Sequence, residues 1–520
     1  MTEPYNGNND GNPASPSLNE KVPRKAWISL AILGSALLIA MYGETMLLPA
    51  IPDIIEEFDI SYNTSSWILS AYLIAGAVAT PLCGKLSDIY GRKKMVIIIL
   101  IIYIIGITLG GLSTNISFLI IARVIQGIGI SMFPIAFGII RDQFPKDKLA
   151  IGVGVFSSMF AAGSVVGLAL GANIIESFGW RATFFSIVFV AIGLWFIIRR
   201  YIHEEQESVN AIESPEIHYT SDMVDNKIND PDEETTTSIS KKNIDMKGTV
   251  TLAITIISLL MVLSYSHTDN IEIYQIGMFL LIGITSLVLF VIVERRSRSP
   301  LVNFQLLTNN TILSANIILV IAFLSMFTVF QTIPVLVRSP QPFGFGESVI
   351  TTANIQLPFM IVFLLFAPSS GFIISKLGNV KPTIIGSIVS AVGFSSLLIF
   401  HSSGSLVATN LAVIAGGLSL MQVGGFDIIL QSTPRKFSGI SLGMTVLFTL
   451  IGGSVGPAMA GIIMQSNQVF LEGVGSFPSS DSYNLIFLTI ALASLIPIGL
   501  SIFIRRNLSS QNSALTIGVS

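Results

Sequence analysis

The chain has 520 residues, 51% of them hydrophobic and only 11% charged, with a formal net charge of −3. A soluble globular chain carries about a quarter charged residues, so this composition excludes an ordinary water-soluble domain and points to a protein that lives in lipid. The apolar residues fall in blocks of about 20, long enough to cross a bilayer core as helices, and no alternating strand pattern recurs that would suit a β-barrel. One cysteine, Cys83, excludes an internal disulfide, and four scattered histidines share no metal-ligand spacing. Neither a metal nor a cofactor is expected, and no nucleic-acid partner.

Along the chain, residues 1–26 are polar and rich in Asn, Pro, Gly and Ser, a disordered tail that ends with Lys21, Arg24 and Lys25. The apolar run that follows is too long for a signal-peptide core, so it is expected to be retained as a first helix. Fourteen candidate spans follow one another at 27–49, 64–83, 95–113, 117–139, 150–173, 181–199, 249–266, 274–293, 311–336, 349–370, 382–400, 406–430, 438–465 and 484–504. With the N-terminus in the cytoplasm, 25 of the 28 basic residues collect on that side, and only Arg123, Arg181 and Arg338 fall elsewhere. The first outer loop, "IPDIIEEFDISYNTSS", has four acids and no base. A wrong span count would scramble this segregation, so fourteen spans with both termini inside are expected. Residues 201–247 carry 12 acids against 4 bases and read as a solvated cytoplasmic linker, or as a regulatory docking tail.

An internal repeat flanks that linker. "GKLSDIYGRKK" (84–94) has a worn counterpart in "GFIISKLGNVK" (371–381), and "GSVVGLALG" (163–171) is echoed by "GGSVGPAMAG" (452–461). The near-constant offset predicts two six-helix bundles, at 27–200 and 306–506, separated by the linker and by two additional helices at 248–305, with a cytoplasmic tail at 507–520. The expected fold is all-α and polytopic. Six and two are both even, so the bundles repeat in parallel about an axis along the membrane normal, a transporter architecture.

"GKLSDIYGRKK" resembles the signature loop of the major facilitator superfamily. "LIIARVIQGIGIS" (119–131) is similar to the Arg-x-x-Gln-Gly-x-Gly motif of its antiporters, and "GSVVGLALG" looks like their Gly-x-x-x-Gly-Pro motif, with Leu168 in place of the proline. "WILSAYLIAGAVATPLCGKLSD" (67–88) resembles span two of the fourteen-helix drug:proton antiporter branch. The resemblance implies proton-coupled export. It also implies that Asp88 holds the outward-facing state by touching the helix that begins near Ser438. Members of this branch usually carry an Asp in span one, nine residues before a proline. Counting back from Pro52 gives Gly43, and the acid here stands one residue later, at Glu44.

The residues have their own chemistry. Gly84 and Gly91 permit a tight reversal, and Asp88 and Arg92, four apart, can pair or meet a helix end as a latch; Arg92 also serves as an orientation charge. Gly163, Gly167, Gly452, Gly456 and Pro457 mark helices that approach closely and must slide in an alternating-access carrier. Inside the end residues of the spans only Glu44, Arg123 and Asp427 are charged, each costing about 2.5–3.5 kcal/mol at a helix centre. Glu44 and Arg123 lie at similar depth, and in the superfamily fold their spans line one cavity, so each is expected to influence the other. A nearby cation favours a carboxylate's charged form and burial disfavours it, so the pair suits proton coupling; a structural ion pair is the alternative reading. Asp427 is read either as a partner of Arg435 or Lys436 near the cytoplasmic gate or as a proton relay. Trp67, Tyr72, Gln126, Gln331, Asn354 and Gln356 are candidates for the substrate cavity, each equally suited to a helix–helix hydrogen bond or an interface anchor.

The expected function is secondary active transport: a monomeric plasma-membrane carrier that exports lipophilic or cationic small molecules, with the proton gradient as its energy source. A carrier for a specific metabolite such as a sugar, amino acid or siderophore is the alternative within transport. A non-transporting sensor or scaffold is the alternative outside it. An enzyme is not expected, since no nucleophile–base set or phosphate loop is present.

Overall fold

The computed structural model describes residues 22–145, 149–202, 246–265, 273–297, 300–302, 304–434, 438–472 and 475–517. The acidic linker, apart from its flanks, lies outside them. In the first half, α1 (Arg24–Thr45) leads through a 3-10 turn (Leu48–Ala50) into α2 (Ile51–Phe58). Next come α3 (Tyr62–Tyr90), α4 (Arg92–Gly111), α5 (Ile116–Gly127), a second 3-10 turn (Ile128–Ser131), α6 (Met132–Gln143), α7 (Leu149–Phe178) and α8 (Trp180–Tyr201). After the linker stand α9 (Met246–Tyr265), α10 (Ile273–Arg296) and the short α11 (Phe304–Leu307). The second half comprises α12 (Asn310–Arg338), α13 (Val349–Leu377), α14 (Val380–Ile399), α15 (Gly404–Ser432), α16 (Ser438–Ser466), a hairpin of β1 (Gln468–Leu471) and β2 (Gly475–Pro478), α17 (Ser480–Ala493) and α18 (Leu495–Ile517).

Helix starts follow local chemistry. The side chains of Ser61, Asn115, Asn309, Ser348 and Ser479 each accept a hydrogen bond from a backbone N–H in the first turn of α3, α5, α12, α13 and α17. Among the described residues, 13 helices are long and apolar enough to cross a membrane; the expected span at 249–266 is helical as α9, but its apolar stretch, Met246–Val262, is shorter.

Three expectations are corrected. The segment 51–66 is no loop: α2 and the start of α3 fill it, because Pro52 sits in the first turn of α2, where proline needs no N–H. Gly84 does not turn the chain, since α3 runs on to Tyr90 and the Ser87 hydroxyl donates to the Gly84 carbonyl. Gly91 alone reverses it, at φ +93°, and its repeat counterpart Gly378 does the same at φ +75°. The fold is not wholly helical either: β1 and β2 pair antiparallel, Gln468 opposite Pro478 and Leu471 opposite Gly475.

The internal repeat is visible in the packing. A Cβ on Gly163 of α7 would press into the Leu38 carbonyl of α1, and one on Gly167 into Thr45 and the Tyr42 carbonyl. In the second half, Gly452 and Gly456 of α16 meet the Val320 and Leu324 carbonyls of α12 in the same way. The glycines are displaced by 289 residues in both pairs, and their partners Leu38/Val320 and Tyr42/Leu324 by 282 in both. The halves therefore reuse one backbone-to-backbone contact. They meet each other along two seams, α3 against α16 and α7 against α13. Helix α9 leans on α3 and α16 beside the first seam, in a small second core that includes Ile74, Leu252 and Met444.

At the end where α1 runs into α2, here the Asp53 end, the halves are pinned together. Asp53 pairs with Arg338 of α12. The Tyr62 N–H donates to Gln465 Oε1 (3.1 Å) and the Tyr62 hydroxyl to the Ser476 carbonyl in β2 (3.3 Å). The hairpin thus serves as part of the closure. Glu57 accepts from Trp180 Nε1 and Arg181 Nη1, both at 2.6 Å, which ties α2 to α8.

Candidate functional site: a buried charge cluster between the first four spans

Arg123 is fully buried in α5, so every N–H it carries needs an acceptor inside the protein. Its Nε donates to the Ile68 carbonyl of α3 (3.0 Å), and its Nη1 to the Gly43 carbonyl of α1 (3.1 Å) and to Gln126 Oε1 (2.8 Å). The guanidinium carbon stands 4.3 Å from the centre of the Tyr72 ring, a cation–π contact. Among the described residues Nη2 has no hydrogen-bond partner, and neither does the Tyr72 hydroxyl.

The motif around Arg123 is explained position by position. Gln126 also donates from Nε2 to the Gly43 carbonyl (3.3 Å). At Gly127 a side chain would run into the Tyr72 carbonyl, and at Gly129 into the ring of Tyr103. The small residues let α3 and α4 close around the arginine. Tyr103, fully buried in α4, donates to the Ile39 carbonyl (3.0 Å). Sequence reasoning passed over it, because a lone tyrosine in an otherwise aliphatic span carries no pattern.

Glu44 is buried, at 7% exposure. Among the described residues it has neither an ion-pair nor a hydrogen-bond partner, while Arg123, Tyr72 and Tyr103 lie within electrostatic range. The acid and the arginine are therefore neighbours through space, and Arg123 is held by the Gly43 carbonyl and not by a carboxylate. Position 43 has no room for a side chain as packed: a Cβ at Gly43 would lie inside contact distance of the Tyr103 hydroxyl and 2.7 Å from Gln126 Nε2.

The other candidates are dispersed. Gln331 of α12 faces the seam and donates to the Ser65 hydroxyl of α3 (3.1 Å), while Gln356 of α13 is buried with no partner for either end of its amide among the described residues. Trp67 packs with the second core beside α9, and Asn354 is exposed. Asp427 is half-buried and accepts from Gln431 (2.7 Å), and its proposed partners Arg435 and Lys436 lie outside the described residues. The Asp88 side chain also lies outside them. The Arg92 guanidinium packs over Gly138 of α6.

An almost wholly helical chain with 13 membrane-length helices among its described residues, repeated halves and a buried charge cluster defines a multi-pass membrane protein. The chain belongs to the Major Facilitator Superfamily, whose profile matches residues 33–457; it is a transporter and not an enzyme. It is similar to the "Multidrug transporter protein MdtP" of Bacillus subtilis (strain 168), 29% identical over 451 residues, which cover 84% of this chain and 75% of the relative. It is also similar to the "Tetracenomycin C resistance and export protein" of Streptomyces glaucescens, 23% identical over 445 residues, 85% and 76% of the two chains. In fold it resembles the human organic anion transporter MFSD10, with a TM-score of 0.59 at 12% identity, covering 92% of this chain and all of that one.

Proposed function

We propose that this transporter exports lipophilic or cationic small molecules in exchange for protons, by alternating access, as a monomer of the plasma membrane with both termini in the cytoplasm. Glu44 carries the reading. An acid held in a membrane helix with no partner among the described residues, beside an arginine whose bonds go elsewhere, is free to take up and release a proton. The names of the relatives in Bacillus and Streptomyces support export and a drug-like cargo. The segregation of basic residues supports the orientation, which makes the Asp53 end extracellular. The cross-half pins at that end support a conformation closed to the outside, which must open for release.

The test is dye transport in everted vesicles. An imposed proton gradient drives accumulation of a lipophilic cation, and a protonophore abolishes it. Glu44→Gln vesicles lose the gradient-driven component while the protein stays inserted. Gradient-driven accumulation at the normal rate in Glu44→Gln sinks the coupling proposal, and flux that ignores the gradient in the unmodified protein makes it a uniporter.

A further inference from the structure

The second half holds buried polar groups that the charge cluster does not use. In α13, Gln356 is 1% exposed, and neither its amide oxygen nor its nitrogen has a hydrogen-bond partner among the described residues. In α12, Gln331 is fully buried and spends its nitrogen on Ser65, leaving Oε1 without one. Buried amides are almost always satisfied, so two left open on adjacent helices, one of them at the seam with α3, are poised for a ligand. The two lie at one level. Helices α12 and α13 run antiparallel, Gln331 adjoins Phe330, and Gln356 precedes Phe359 by one turn. Phe330 and Phe359 touch edge to face, with centroids 5.3 Å apart. Rings continue on both sides, through Phe327 (5.5 Å from Phe330) and Phe363 (stacked on Phe359 at 6.0 Å). The only charges in these two helices are Arg338 and Lys376, both in the last turn.

We propose that α12 and α13 form an uncharged subsite. In it Gln331 Oε1 accepts a hydrogen bond from, the Gln356 amide both donates to and accepts from, and Phe330 and Phe359 pack against, a planar neutral aromatic cargo that bears a ring carbonyl and N–H groups. This deepens the export reading above and rests on it for the cargo's passage. Recognition is then divided: the first half supplies the charge, and the second selects flat neutral chemistry. Gln356 is a specificity residue, since its amide must supply both a donor and an acceptor to the cargo.

The test is equilibrium binding to the full-length protein in lipid nanodiscs, which does not depend on export. The probes are 2-aminoacridone, neutral and planar with a ring carbonyl, a ring N–H and an amino group, and 10-methylacridinium, a planar cation of similar size with none of these; empty nanodiscs correct for partition into lipid. Gln356→Leu is expected to weaken 2-aminoacridone by about tenfold, the equivalent of one or two hydrogen bonds, and to leave 10-methylacridinium within about twofold. Its thermal stability should hold or rise, because an open amide gives way to an apolar group. Gln331→Leu should act in the same direction. Equal loss of both probes would make the residue structural and overturn the proposal. Failure of 2-aminoacridone to bind the unmodified protein, or its unchanged binding in both variants, would overturn it as well. Selective loss of 2-aminoacridone in a protein that exports neither dye would uphold the subsite and defeat the export reading instead.

Discussion

Gly43→Ala isolates the steric argument for the displaced acid. The new methyl would lie inside contact distance of the Tyr103 hydroxyl and 2.7 Å from Gln126 Nε2, while the next Tyr103 atom, Cζ, is 3.4 Å away. Helix α1 cannot retreat, because its other face is pressed onto α7 at Gly163 and Gly167. Tyr103 and Gln126 must therefore move, loosening the bonds to the Ile39 carbonyl and to Arg123. Overpacking of this kind costs about 1–3 kcal/mol, partly offset by about 0.5–1 kcal/mol from removing a helix glycine. Tyr103→Phe removes the oxygen and leaves the ring in ordinary contact, at a cost of about 1 kcal/mol for its hydrogen bond. In the Tyr103→Phe background the alanine still meets Gln126 Nε2 at 2.7 Å, the end of a flexible side chain, so its cost should fall without vanishing, and a double-mutant cycle yields a coupling of about 1 kcal/mol. Equilibrium unfolding in mixed SDS–maltoside micelles reads it. The same geometry predicts that moving the acid, Gly43→Asp with Glu44→Ala, leaves transport dead. A harmless Gly43→Ala that is additive with Tyr103→Phe, or a working register swap, would refute the reasoning.

Three further outcomes follow from the packing. Asp53→Asn or Arg338→Gln removes a pin that is about a quarter exposed and worth about 0.2–1 kcal/mol, so spin labels at Glu56 and Gln341 should report a larger fraction of separated halves, and the double reversal Asp53→Arg with Arg338→Asp should restore the short distance. Gly163→Ala and Gly452→Ala should destabilise alike, by about 1–3 kcal/mol each in the same micelle assay, because both would meet a carbonyl of the partner helix, whereas Gly443→Ala, with nothing near its Cβ, should not destabilise. Arg123→Lys keeps the charge but cannot reproduce the fork that reaches Ile68, Gly43 and Gln126, so dye export should fall at least about tenfold with the protein still inserted.

How much of this was legible in the chain depends on the kind of signal. Span positions were readable because a bilayer demands about 20 apolar residues at a stretch, and the helical repeat was readable because Gly163/Gly452 and Gly91/Gly378 answer to backbone geometry that no other residue meets as easily. The Arg123–Gln126 cluster was half readable: a lone buried arginine announces itself, but its acceptors at Ile68 and Gly43 are carbonyls, which every residue owns. Tyr103 was invisible for the same reason, its effect being to fill the space that Gly43 leaves. Helix α2 hid behind its acids, which made 51–66 look like a loop, although its buried Ile51 and Ile54 lie one turn apart on one face. The β-hairpin contains only eight paired residues, too few for an alternation to stand out.

The register shift also changes what a proton on Glu44 would do. If the acid were Arg123's direct partner, neutralising it would strand a buried guanidinium, at the several kcal/mol that breaking a buried ion pair costs. Here the guanidinium is held by Ile68, Gly43 and Gln126 whatever the state of Glu44. Helices α1, α3 and α5 would therefore stay joined if a proton moved, and what would change is the charge facing Arg123, Tyr72 and Tyr103. Under the proposed exchange, that separates a permanent hydrogen-bonded anchor from a switchable charge one residue away. It follows that Glu44→Gln should leave the micelle stability within about 1 kcal/mol of the unmodified protein while removing gradient-driven transport. A large loss of stability would mean that Glu44 belongs to the anchor, and that the backbone of Gly43 does not suffice to hold Arg123.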